Sequence, residues 1–326
     1  MSNKFWSPMI LSAKVGPLTN IGDDLSIDPL QLLNPNRGSM LIDQFRFTFD
    51  YIPAAPSPMG AFTEAQNMIA AEIRVGSIPL MPKPVTVAVL APPYVGALTP
   101  SVVNFQANPF GGNYDWHDTV LVWHLHKPLY VPRDVSLSAR FVLQRLFSQG
   151  SPFTEPSASI QVRFTVAGRS LSEDDQVPTE IIMPWVTETR ARVSSPTFVS
   201  GDSDLINSHD VPLNVKQFVG SNYIRPVTGV WSGTETTTYD IYVQMTGSNG
   251  TAIVREPTPF YLLFPGSRNT LNVDAVLQPG QFVRTALNAP TVPGAPGAPS
   301  TLLETVESTA IGMHGYRKVP MPRLNR

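Results

Sequence analysis

The chain of 326 residues contains no cysteine. That excludes a disulfide framework, a thiolate nucleophile and any cysteine-ligated metal, so stability has to come from packing. Charge is scarce too: charged residues make up 15% and the net charge is −2, too little for a global field that recruits nucleic acid or an acidic membrane. Long apolar runs are missing near the N-terminus. Met1 to Val15 offers Lys4 and a short run at Met9 to Leu11, far below the length of a secretory core or a membrane span. The expectation is synthesis in the cytoplasm without export.

What the chain has instead is 33 prolines and a series of short segments in which apolar and polar residues alternate. Phe45, Phe47, Phe49 and Tyr51 fall on one side of an extended segment, and Arg46, Thr48 and Asp50 on the other. Side chains on a strand alternate with period two, so this is a strand with one buried and one wet face. The same signature recurs at Val135 to Leu143, Ile160 to Val166 and Tyr239 to Met245. The fold class is therefore all-β, with half-buried strands of the kind found in antiparallel sandwiches and barrels. The chain length points to two such units.

Residues 1–37 carry Pro8, Pro17, Pro29 and Pro35 without a sustained period, and are expected to form an N-terminal arm. Thr63 to Ile73 has capping-box spacing between Thr63 and Gln66 and predicts a short helix. The acidic stretch Arg169 to Thr179 marks the boundary between the units. Gly247-Ser248-Asn249-Gly250 predicts a hairpin reversal joining strands near 237–246 and 251–255. A further strand is expected at 259–264. Asn288 to Ser300 is a Pro/Gly linker. It precedes a short helix over 301–309 and a tail made basic by Arg317, Lys318, Arg323 and Arg326.

Few residues have the spacing that chemistry needs. His124 and His126 sit at i and i+2 on one strand, which is metal-ligand geometry. A mononuclear barrel site would also want a carboxylate three or four residues further on, where the chain has Leu129 and Tyr130. The pair therefore reads as the wet side of a strand whose buried side is Leu121, Trp123 and Leu125. Ser208 beside His209 lacks a Gly-x-Ser-x-Gly elbow, and Gly111-Gly112-Asn113 lacks the lysine and helix of a phosphate loop. The acid pairs Asp23/Asp24, Asp174/Asp175 and Asp202/Asp204 lie in polar stretches. No catalytic residue and no cofactor is expected.

The run His124-Leu125-His126-Lys127-Pro128-Leu129-Tyr130-Val131-Pro132-Arg133-Asp134-Val135-Ser136-Leu137 is a strand, a proline-bracketed corner and a second strand. This corner is similar to those of viral jelly-roll coat proteins. Together with the two strand-rich halves, the arm and the linker before a basic tail, the chain resembles the double jelly-roll major capsid proteins of tailless icosahedral bacteriophages with an internal membrane. The resemblance covers most of residues 38–288 and rests on architecture. It implies an eight-stranded jelly roll over 38–168, a second over 169–288, and a linker, helix and tail over 289–326. It further implies pseudo-hexagonal homotrimers that tile a virion shell, with neighbouring capsomers and vertex proteins as partners. The basic tail would then meet a neighbour, an internal membrane or the genome. The competing readings are a glycan-binding spike or adhesin and a metal-dependent β-barrel enzyme using His124 and His126.

Overall fold

The computed structural model describes residues 7–34, 38–53, 65–91, 120–133, 135–145, 158–171, 178, 180–192, 201–226, 242–264, 270–288 and 304–320. They are mostly strand, in antiparallel sheets, and the chain is an all-β protein.

The first sheet has the order β1 (Ser7–Leu18), β9 (Ala158–Ser170), β3 (Met40–Pro53) and β7 (Leu121–Val131). The second has the order β2 (Asp24–Ser26), β8 (Leu137–Leu143), β4 (Ile69–Val75) and β5 (Ile78–Pro79), with β6 (Val85–Thr86) also on β4. The alternation seen in the sequence sets their inner faces. Phe45, Phe47 and Phe164 from one sheet and Phe141 from the other are wholly buried, and the Phe47 and Phe141 rings meet edge-on at 6.3 Å. Cutting any of these rings back to alanine costs about 3–5 kcal/mol.

On the outer face of the second sheet, charges alternate across the strands. Glu72 on β4 takes Arg74 at 2.5 Å and Arg140 on β8 at 2.8 Å, and Arg140 reaches Asp24 on β2 at 3.1 Å.

A second pair of sheets follows. One has the order β10 (Glu180–Arg192), β17 (Glu304–Pro320), β12 (Leu213–Pro226) and β15 (Thr270–Leu277). The other has the order β11 (Gly201–Ile206), β16 (Phe282–Asn288), β13 (Tyr242–Gly247) and β14 (Ala252–Pro259). Trp185, Val215, Phe218, Ile311 and Met313 pack from the first of these against Leu205, Val243, Met245, Val283 and Leu287 from the second. The β13–β14 turn places Gly250 at φ 79°, where a residue without a Cβ is favoured.

The two halves share one connectivity. With β6 left aside and the described strands counted from the start of each half, both read 1-8-3-6 in one sheet and 2-7-4-5 in the other. A local detail repeats as well. A one-turn helix, Val87–Leu90, follows β6, and another, Phe260–Leu263, follows β14. Each closes with the same bond: Ala91 N–H donates to the Val87 carbonyl and Phe264 N–H to the Phe260 carbonyl, both at 2.8 Å.

The sequence reading needs four corrections here. Residues 7–18, expected as part of an arm, form β1, hydrogen-bonded to β9 from Ser7 opposite Ser170 onward. Met9, Leu11 and Ala13 alternate into the core, but the prolines and the glycine before Pro17 break the pattern that would reveal it. Of the described part of the helix expected over Thr63 to Ile73, residues 65–68 are helical, and Ile69–Val75 is β4. Ala70, Ala71 and Glu72 are all buried, so no period remained to distinguish strand from helix. The strand expected over 259–264 is instead the helical turn Phe260–Leu263. Finally, the described part of the expected helix and tail, Glu304–Pro320, is a seventeen-residue strand. It runs between β10 and β12 and pairs with both.

Candidate functional site

The sheet containing β17 is covered on both sides at its centre. Residues 309–315 of β17 and 218–221 of β12 are buried throughout. One face belongs to the second core, and the other packs against the open edge of the first sandwich, where Val186, Val219 and Ala310 join the first core. This seam joins the two sandwiches.

Small residues in the sheet let it form. Gly312 lies against Val89 of the Val87–Leu90 turn, and a Cβ on Gly220 would fall 2.5 Å from the Phe264 ring on the opposite face. Backbone joins backbone across the seam where Val186 N–H donates to the Leu80 carbonyl at 3.2 Å.

Polar groups fix the register. Glu188 on β10 is buried, and its carboxylate accepts the Thr86 backbone N–H and the Thr86 hydroxyl, each at 3.0 Å. Beside it, Arg190 Nη1 donates to the Asn67 carbonyl at 2.8 Å and to Thr86 Oγ1 at 3.2 Å. Burial raises the Glu188 pKa, opposed first by the Arg190 charge and then by the Thr86 hydrogen bonds. Both carboxylate oxygens are engaged by Thr86, so the group ties the two sandwiches together.

His314 on β17 approaches the same region. Its Nε2 meets the Val89 carbonyl at 2.9 Å, and its ring stands edge-on to Trp123 at 6.1 Å. The carbonyl can only accept, so Nε2 carries the proton and Nδ1 is left bare and buried. Burial lowers the His314 pKa to about 3, the Val89 hydrogen bond opposing and His126 adding to the effect.

Arg317 was expected in a basic tail that meets a neighbour or an inner layer. It is instead a buried residue of β17, with its guanidinium 5.1 Å from the Trp185 ring centre and Nη2 donating to the Pro79 carbonyl at 3.3 Å. The strand's alternation turns it inward, which composition alone could not show. Lys318, next along, is exposed and pairs with Glu180 at 3.3 Å. Arg323 and Arg326 lie outside the described residues.

His124 and His126 occupy exposed positions on β7, an edge strand of the first sheet, and among the described residues no group of three or more His, Cys, Asp or Glu could hold a metal ion. His209, next to Ser208, sits 4.1 Å from the Trp185 ring centre. Burial, and then the Arg317 charge, lower its pKa to about 4. The glycine loop at 111–113 and the acids Asp174 and Asp175 lie outside the described residues.

Glu188, Arg190, Thr86, Gly312 and His314 were not singled out from the sequence. Signals existed: a glutamate two residues beyond the apolar run Ile181 to Val186, and two glycines flanking a histidine in Gly312-Met313-His314-Gly315. Glycine inside a strand often marks the close approach of another backbone. No protein-family model matches the chain, and no similar sequence is found among curated proteins.

Proposed function

We propose that each sandwich is a jelly roll and that the chain is the coat subunit of an icosahedral virion, a structural protein and not an enzyme. The observation that carries this reading is the shared connectivity, 1-8-3-6 facing 2-7-4-5 in both halves. This is the strand order of two Greek keys wound into facing sheets.

The seam supports the same reading. Its buried carboxylate, arginine and histidine all serve to lock one sandwich against the other, giving a rigid two-part block. A shell needs such a block, because a subunit that flexes at its waist loses entropy each time a neighbour fixes it. Sparse surface charge lets like subunits approach. In this proposal the chain assembles as homotrimers with a pseudo-hexagonal outline that meet neighbouring capsomers and vertex proteins. Of the proposed inner-layer contacts, Lys318 keeps an exposed ammonium within the described residues, whereas Arg317 does not.

Light scattering of the purified chain, followed by negative-stain microscopy at high concentration, tests the proposal. Trimers with a hexagonal outline, or closed shells, are expected. A strict monomer at every concentration overturns it.

A further inference from the structure

Asn249-Gly250 is the single Asn-Gly step in the chain, and it forms the tip of the β13–β14 turn. Both residues are exposed, and no heavy atom lies within 4 Å of where a Cβ on Gly250 would stand. The Asn249 side chain folds forward over the turn, its Oδ1 accepting the Thr251 backbone N–H at 3.0 Å. A turn of this kind brings the side-chain carbonyl back over the peptide nitrogen that lies between, here that of Gly250. Among the described residues, Asn249 Nδ2 has no acceptor, so nothing retains the amide nitrogen.

Other asparagines of the described structure lack one or more of these features. Asn207 makes the same turn, its Oδ1 accepting the His209 N–H at 3.2 Å, but it is 0% exposed and its Nδ2 is held by the Val211 and Leu277 carbonyls. Asn34 is buried, and Pro35 after it has no N–H with which to react. Asn20 and Asn272 are exposed, but Ile21 and Val273 follow them, and a branched Cβ crowds the next nitrogen. Glycine at 250 leaves that nitrogen open and gives the backbone the freedom to approach the side chain.

We infer that Asn249 is a self-modification site, at which the Gly250 nitrogen displaces the side-chain amide and leaves an acidic residue in the turn. The Gly250 N–H first gives up its bond to the Gly247 carbonyl, 2.9 Å long, and loses its proton to hydroxide from the solvent. The nitrogen's electron pair then attacks Asn249 Cγ, and charge collects on Oδ1, where the Thr251 N–H already donates. As the Cγ–Nδ2 bond breaks, Nδ2 takes a proton from water and leaves as ammonia, which restores the hydroxide and leaves a succinimide across the two residues. Water opens this ring in either of two ways. Cleavage of the new Cγ–N bond gives aspartate, whereas cleavage between the Asn249 backbone carbonyl carbon and the Gly250 nitrogen gives isoaspartate, whose main chain runs through Cβ and Cγ. Nothing is oxidised or reduced: water enters and ammonia leaves.

Each event adds a negative charge at a cleft of about 170 Å³ whose lining includes Asn249, Asp274, Val215, Phe218 and Ile253. The isoaspartate branch also lengthens a turn that is tied on both sides, by the Gly247 N–H to the Thr251 carbonyl at 2.8 Å and by the Ser248 N–H to the Phe282 carbonyl at 2.9 Å. The turn thus records the age of the chain and loosens β13 from β14 and β16 as it does so. The chemistry is the same whether or not the chain builds a shell.

Peptide mass spectrometry on the full chain, incubated at neutral and at mildly alkaline pH, tests the inference. Asn249 is expected to show the amide-to-acid mass change before any other asparagine, faster at the higher pH, with a matching shift of the whole protein to a more acidic band in isoelectric focusing. Labelling by an isoaspartate methyltransferase should map to residue 249, and Asn34 and Asn207 should remain amides. Asn249→Gln, whose longer side chain cannot close the same ring, should keep its focusing position and its hydrogen exchange in β13 and β14 over the same incubation, while exchange there speeds up in the wild type. A folded chain in which Asn249 stays an amide while the urea-unfolded chain converts there overturns the inference, because the turn then shields the residue. Conversion that begins at any other asparagine overturns it as well.

Discussion

Gly312 lies so close beneath Val89 that a Cβ on residue 312 would fall 2.1 Å from Val89 Cγ1, inside any real van der Waals contact. Gly312→Ala must therefore lift the Val87–Leu90 turn off the sheet or force Val89 from its rotamer, at a cost of about 1–3 kcal/mol. Denaturant titration should show this loss. Adding Val89→Ala to Gly312→Ala should recover part of it, because the methyl that collides is gone, so the two costs should not add. Strict additivity would mean that the two residues do not touch.

Acid should weaken the seam through His314. Its pKa falls from 6.5 to about 3 in the fold, so it is neutral in the folded chain at a pH where the unfolded chain binds a proton. The stability linked to this group is fully present above pH 6.5 and is lost as pH falls from 6.5 toward 3, up to about 5 kcal/mol in all. His209, lowered to about 4, acts in the same direction over the upper part of that window. Unfolding midpoints measured across this range should flatten in His314→Gln, whose amide can still donate to the Val89 carbonyl. An unchanged slope would place the acid sensitivity elsewhere.

Glu188 has the opposite sign. Its pKa is raised in the fold, so its burial becomes more costly as pH climbs above 4.5. Even so, Glu188→Ala should cost about 3 kcal/mol at neutral pH, because it strips the Thr86 N–H and hydroxyl of their acceptor and removes the negative charge beside Arg190 inside the seam. Glu188→Gln keeps an acceptor for Thr86 and should cost clearly less. Equal losses in the two variants would show that charge, not hydrogen bonding, sets the contribution.

Truncation after Asn288 should abolish the second sandwich. The missing segment contains β17, which pairs with β10 on one side and β12 on the other. Without it both strands lose a ladder and the sheet loses its centre. The expected result is insoluble protein, or a marked loss of strand signal in far-UV circular dichroism. A soluble truncated chain that melts like the intact one would contradict the pairing.

The sequence was legible where one face of a strand meets water. β3, β8 and β9 could be read from the alternation of Phe45 to Phe49, Leu137 to Leu143 and Ile160 to Val166 because the polar faces of those strands are wet. It became illegible where both faces are covered. Ala70, Ala71 and Glu72 on β4, and Thr309 to Gly315 on β17, are buried on either side. Their composition then answers to two neighbours and shows no period. The seam was hidden for the same reason, and for another. Glu188 meets Thr86 across 102 positions and His314 meets Val89 across 225, and no spacing rule spans such distances.

The late position of β17 in the chain bears on how the subunit is made. A ribosome delivers residues in order, so β10 and β12 emerge well before the strand that must lie between them, and Val89 and the side of Trp123 that meets His314 lack their cover from β17 until it arrives. Unfinished chains thus lack a completed seam, which keeps fragments from passing as building blocks. The same delay leaves apolar surface open during translation, making this interval the point at which a chaperone would matter most.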